Sequence, residues 1–143
     1  MNEPGVLLTV ASIVVAYAVT VLIFRLQREL RMREQGERTW VALADWLPIV
    51  AFLIAVLFVA LPVLAVDPAL RGPLPRAAAM LSLVLCLGWI PAILAHYRLL
   101  FGAHRTGPRR NPEPLEAVFV LASGLMGLVG FFLFYAGIPS YRA

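Results

Sequence analysis

Residues 6–24 read VLLTVASIVVAYAVTVLIF, nineteen positions without a charged side chain. An α-helix rises about 1.5 Å per residue, so this run would be about 28 Å long, close to the ~30 Å hydrocarbon core of a bilayer. Because lipid offers no water to bare N–H and C=O groups, an uncharged run of this length is expected to be helical in a membrane. We therefore interpret it as a membrane-spanning helix.

Three further apolar runs follow at about residues 46–66, 77–95 and 115–138, and their one charged residue is Glu116, at the edge of the last run. Across the chain, 62% of the residues are hydrophobic and 14% are charged, whereas roughly 25% are charged in an ordinary soluble domain. The sequence therefore predicts an all-α fold. We expect a four-transmembrane-helix bundle that forms a single domain over residues 1–143.

The segments between these runs predict the orientation of the chain. Residues 25–45 and 96–114 hold nine of the twelve arginines, and the segments on the other side of the membrane hold three. Because arginine-rich connections stay on the cytoplasmic side, we expect both of these loops in the cytoplasm and both termini outside.

The choice of basic residue suggests the kind of organism that encodes the chain. All twelve basic residues are arginine and none is lysine. Together with abundant Ala, Pro and Gly, this bias indicates a GC-rich bacterial coding sequence. We therefore expect a multi-pass protein of the bacterial cytoplasmic (inner) membrane.

Eight cytoplasmic arginines are candidates for contact with membrane lipids. An arginine near an anionic leaflet contributes ~1 kcal/mol to binding; alternatively, these side chains form a solvated surface that only sets the topology. They alternate with hydrophobic spans and do not form a soluble basic patch, so no nucleic-acid partner is expected. The eight residues are Arg25, Arg28, Arg31, Arg33, Arg38, Arg105, Arg109 and Arg110.

The last apolar run carries a candidate helix-packing face. Ser123, Gly127 and Gly130 recur at helical spacing, and Gly124 lies beside them. Small residues four positions apart allow two helix backbones to approach closely. The pattern is compatible with three partners: another span of this chain, a second copy, or a different protein in a larger membrane complex.

The third run contains Pro91, which cannot donate a hydrogen bond to the carbonyl of Leu87. A bend in the helix is therefore predicted at this position. Such a bend can shape the packing of a small bundle, or it can line a substrate site.

A second set of candidate residues lies near the predicted cytoplasmic boundary. Ionisable side chains collected at one interface can form a catalytic or metal-binding site, but they can also be ordinary interfacial polar residues. The two histidines flank the same helix end, so they could not face each other across a haem, and no cofactor or metal is expected. The five candidates are Asp45, His96, Arg98, His104 and Glu116.

The residue types that the apolar runs lack narrow the range of possible functions. No Asp, Glu, Arg or Lys lies in the centre of any apolar run, and Cys86 is the single cysteine. Because such charges mark proton relays and ion paths, a proton-coupled pump is not expected, and no enzyme motif is present. We expect a non-enzymatic accessory, assembly or scaffold component acting through helix packing. The alternatives are a homo-oligomeric channel or small-solute transporter, and an interfacial membrane enzyme.

Overall fold

The computed structural model describes residues 3–36, 41–66, 72–99 and 113–137, and within these ranges it contains no strand. Four long helices follow one another along the chain, and each is long and apolar enough to cross a membrane. The predicted all-α class with four candidate spans is therefore confirmed. The helices are α1 (Glu3–Glu34), α2 (Leu43–Ala65), α3 (Leu74–His96) and α4 (Pro114–Tyr135).

Helix α1 extends well beyond its uncharged run. It continues past Phe24 to Glu34, which adds about 15 Å at 1.5 Å per residue. Arg25 and Glu29 lie one turn apart in this extension, with Nη2 3.4 Å from Oε1, a spacing that supports a helix modestly. Gly36 follows with a φ of +74°, the left-handed conformation that commonly ends a helix.

Helix α2 is irregular along its length. It opens with a 3₁₀ turn over Leu43–Asp45, becomes α-helical over Trp46–Ile54, widens to a π-helix over Ala55–Ala60, and returns to an α-helix over Leu61–Ala65. The wide segment ends two residues before Pro62. Because a proline lacks the N–H donor and its ring presses on the preceding turn, a local change of helical pitch relieves both effects.

Helix α3 is the central helix, since it packs against each of the other three. The interior is built mainly from small side chains, which let the helix backbones approach closely. Ala11, Ala51, Ala55, Ala78 and Ala92 are all at most 3% exposed. Pro91 does not end α3, which continues to His96; the bend at Pro91 stays a prediction.

Helix α4 packs mainly on α3 and also meets the Leu43–Asp45 turn. Ser123 lies against Gly88, where an added Cβ would overlap the Cβ and Oγ of Ser123. A Cβ on Gly127 would come within 2.6 Å of Leu81, and one on Gly130 within 3.2 Å of Met80. These three small residues of α4 therefore face another span of the same chain.

Gly124 does not share this contact, although its neighbours in the sequence do. A Cβ added to Gly124 would have no atom within 4 Å. Consecutive residues of an α-helix point about 100° apart, so Gly124 is turned away from the side on which Ser123 meets α3.

Candidate functional site

The charged side chains converge at one end of the bundle. The C-terminal ends of α1 and α3 and the N-terminal ends of α2 and α4 meet there, so side chains distant in the sequence become neighbours. Several of them are almost completely buried, with exposures of 7% for Arg25, 6% for Asp45 and 0% for Glu116. We call this set the end cluster. It comprises Arg25, Asp45, Trp89, His96, Tyr97, Arg98, Glu113 and Glu116.

An ion pair between Arg25 and Asp45 joins α1 to α2. The Nε of Arg25 donates to both carboxylate oxygens of Asp45 at 3.0 Å. Nη2 lies 2.9 Å from Oδ2 of Asp45 but is not aligned for a hydrogen bond. The indole Nε1 of Trp89 also donates to Oδ1 at 3.3 Å. The carboxylate of Asp45 is therefore held by groups from two other helices.

Tyr97, directly after α3, lies between two arginines of α1. Nη1 of Arg25 donates to its hydroxyl, and Cζ of Arg28 lies 3.7 Å from the centre of its ring. A guanidinium over an aromatic face makes a favourable cation–π contact. Burial raises the pKa of the Tyr97 hydroxyl above its ordinary value, although both arginines act in the opposite direction. Tyr97 is therefore neutral and accepts the hydrogen bond from Arg25.

Glu116, in the first turn of α4, joins this helix to α2 and α3. Its Oε1 accepts a hydrogen bond of 2.8 Å from the backbone N–H of Ala44, and its Oε2 lies 2.9 Å from Nδ1 of His96. An ionised carboxylate only accepts hydrogen bonds, so Nδ1 of His96 carries the hydrogen of this contact. Oε2 also lies 3.4 Å from the backbone N of Glu113. One fully buried side chain thus connects α2, α3 and α4.

Arg98 and Glu113 connect the end of α3 to the start of α4. Glu113 is the N-cap of α4 and forms a capping box with Glu116, which satisfies backbone N–H groups that the first helical turn leaves free. Nε and Nη2 of Arg98 donate to Oε1 of Glu113 at 3.0 and 2.7 Å. Arg98 has a φ of +58°, at a helix end where glycine is usual. Its ion pair with Glu113 gives a reason for arginine at this position.

The five boundary residues singled out from the sequence do not form one open site. His96 and Glu116 are in contact with each other, whereas Asp45 is bonded to Arg25 and Trp89. Arg98 bonds Glu113, and His104 lies outside the described residues. Within the described ranges, no group of three His, Cys, Asp or Glu side chains could hold a metal ion.

The candidate lipid-contacting arginines differ in their surroundings. Arg25, expected at the headgroups, is instead buried in its ion pair. Arg28, Arg31 and Arg33 are exposed on α1. The remaining four lie outside the described residues: Arg38, Arg105, Arg109 and Arg110.

A cavity of about 500 Å³ lies between α1 and α3 beside the end cluster. We call it the α1–α3 cleft. Its apolar wall is formed by Val21, Phe24, Trp89 and Ile93, and its polar wall by Arg25, Gln27, Arg28, Arg31 and Tyr97. Of the boundary candidates that the structure describes, none lines it.

Three members of the end cluster were not predicted as site residues. They are Trp89, which lies within the third apolar run, Tyr97, which follows that run, and Glu113, which precedes the fourth. The available signal was the helical spacing of Arg25, Arg28 and Arg31, which share one side of α1. That spacing does not identify the aromatic residues opposite them.

The chain matches no family model, no curated protein and no solved structure.

Proposed function

We propose that this chain is a multi-pass protein of the bacterial cytoplasmic membrane, with both termini outside, that serves as a non-enzymatic accessory or assembly component of a larger membrane complex. The observation that carries the functional part is an apolar strip on the outer side of α4. The orientation is supported by the distribution of arginines between the loops.

The exposed surface of the bundle supports insertion into lipid. Large apolar side chains point outward from each helix, including Ile13 at 58%, Leu64 at 70%, Leu87 at 64% and Leu121 at 67% exposure. Large apolar side chains exposed in such number are unusual on a soluble monomer. Hydrocarbon chains would solvate these side chains without penalty.

Exposed apolar residues cover much of α4, including Met126 at 66% and Val129 at 58%, and one series on its outer side recurs at alternating intervals of three and four positions. This is the spacing by which one helix packs along another in a coiled coil, whereas contact with lipid requires no fixed spacing. The strip lies opposite Ser123 and Gly127, which face α3. We call it the outer seam; it consists of Val118, Leu121, Leu125, Leu128 and Phe132, all between 48% and 67% exposed.

The interior favours an accessory role over a path through a single bundle or an interfacial enzyme. The centre of the bundle is closed by alanine side chains such as Ala51, Ala55 and Ala92, each 0% exposed. At the end cluster, the buried carboxylates of Asp45 and Glu116 are occupied by donors from neighbouring helices. These polar groups therefore hold the helices together.

Site-specific crosslinking in intact membranes tests the proposal. A photoactivatable side chain placed at Leu125 should give one discrete protein adduct, and the same adduct should form from Leu121. Ile13 of α1 is the matched control, because it is 58% exposed but lies outside the seam. An adduct of twice the chain mass would assign the seam to a second copy. Lipid adducts alone, at Leu125 and Ile13 alike, would contradict the proposal.

A further inference from the structure

The wall of the α1–α3 cleft changes from apolar to basic along α1. Val21 and Phe24 are apolar, and Arg25, Arg28 and Arg31 follow on the same side of the helix. The distance from Val21 to Arg31 along the axis is about 15 Å at 1.5 Å per residue. A ligand that fits such a wall needs an apolar portion and an anionic portion.

Two of the three arginines in the cleft are not paired with a carboxylate of the described residues. Arg25 is neutralised by Asp45, with Nη2 2.9 Å from Oδ2, and Oε1 of Glu29 lies 3.4 Å from the same Nη2. Within the described part of the chain, neither Arg28 nor Arg31 has a carboxylate within ion-pair distance. The polar half of the cleft therefore carries an excess of positive charge.

Tyr97 orients one of these free guanidiniums. Cζ of Arg28 lies 3.7 Å from the centre of the Tyr97 ring, a distance that suits a guanidinium stacked with its flat face on the ring. The N–H groups of a guanidinium lie in its plane and match the oxygen atoms of a phosphate. Stacking on Tyr97 thus leaves the edge of Arg28 available to an anion. The hydroxyl of Tyr97 itself accepts a hydrogen bond from Arg25, which fixes the position of the ring.

We infer that the cleft binds one anionic phospholipid, with its phosphate at Arg28 and Arg31 and an acyl chain along Val21, Phe24 and Ile93. This inference rests on the proposed membrane placement, in which the arginine-rich end faces the cytoplasmic leaflet. It goes beyond diffuse attraction of basic loops to a charged surface, because it specifies one lipid per chain and a cleft that holds the acyl chain.

Native mass spectrometry of the isolated chain in mild detergent tests the inference. Phosphatidylglycerol and phosphatidylcholine with identical acyl chains are the probes. One phosphatidylglycerol should bind per chain, at least tenfold more tightly than phosphatidylcholine. Arg28→Gln combined with Arg31→Gln should weaken binding about 25-fold, from about fivefold for each arginine near an anionic headgroup.

Arg33→Gln is the matched control, because Arg33 is exposed on the same helix and does not line the cleft. Its effect should be below twofold. Gln27→Trp is a second test: it keeps every arginine but fills the cleft from an exposed position, and binding should fall at least tenfold. Thermal unfolding of each variant without lipid verifies that the fold is intact.

Three results would overturn the inference. Equal binding of the two lipids would show that charge is not recognised, and an equal loss in Arg33→Gln would show diffuse attraction. Displacement of the lipid by water-soluble glycerol phosphate would show a simple anion site. Because the isolated chain is used, a missing complex partner or a reversed orientation does not alter these results, so failure of the proposed function remains distinguishable.

Discussion

The guanidinium of Arg25 and the carboxylate of Asp45 form a buried ion pair, with Nε 3.0 Å from both carboxylate oxygens. Both side chains are only 9% exposed. Separating two charges in such surroundings costs far more than it does at a surface, because the remaining charge keeps its desolvation penalty without its partner. Breaking this pair is therefore expected to destabilise the end cluster strongly.

Asp45→Asn is expected to lower the free energy of unfolding by about 3 kcal/mol, because buried Arg25 would lose its bidentate partner and keep only the more exposed Glu29, 3.4 Å from Nη2, as a counter-ion. Thermal unfolding in mild detergent measures the change. Glu3→Gln is the control: it breaks the ion pair with Arg76 at the opposite end, where both side chains are about half exposed, and should cost less than ~1 kcal/mol. Equal losses in the two variants would contradict the assignment.

Gly88→Ala is expected to destabilise the bundle by about 1–3 kcal/mol through overpacking, because the new Cβ would overlap the side chain of Ser123. Adding Ser123→Gly removes the overlapping atoms and should restore most of the loss. Gly124→Ala is the control, since its Cβ meets no atom within 4 Å, and it should be neutral or slightly stabilising. A double variant no more stable than Gly88→Ala alone would argue against this contact.

Glu116→Gln is expected to cost about 1–3 kcal/mol, because a neutral amide replaces a buried carboxylate that accepts hydrogen bonds from Ala44 and His96. The loss should also appear locally, as faster amide hydrogen exchange at Ala44. Glu34→Gln, at an exposed position on α1, is the matched control and should leave both measurements unchanged. Undisturbed exchange at Ala44 in Glu116→Gln would refute a structural role for the carboxylate.

The proposed orientation predicts which sites an impermeant thiol reagent reaches in intact cells. Cys86 is the single cysteine, so a Cys86→Ala background allows reporters to be placed one at a time. Ala136→Cys, just after α4, should react in intact cells because that end is expected outside. Glu34→Cys, at the end of α1, should react only after the membrane is permeabilised. The reverse pattern would overturn the orientation.

The helices could be predicted from the sequence because each depends on a local property. An uncharged run of about twenty residues has one regular conformation in lipid. The four runs correspond to α1–α4 with ends that differ by three residues or fewer, except that α1 continues ten residues past its run to Glu34. The π-helical stretch Ala55–Ala60 was not predicted, because it depends on how a single turn adapts to Pro62.

The contacts of the end cluster could not be predicted in the same way. Arg25 directly follows an apolar run, a position typical of an arginine that reaches the headgroups. Its burial depends on Asp45 and Tyr97, which lie 20 and 72 residues further along the chain. Likewise, the spacing of Ser123, Gly127 and Gly130 defines a face of α4, but the opposing Gly88 is known only once α3 has been positioned.

The ion pair of Arg25 and Asp45 also has a consequence for the order of biosynthesis. Both residues belong to the first helical hairpin, separated by only 20 positions, so the two charges can meet while the ribosome is still producing the second half of the chain. Tyr97 and Glu116 arrive later and close around a pair that is already neutral. In such a nascent chain, the guanidinium of Arg25 is not buried without Asp45 while the later helices are still being made.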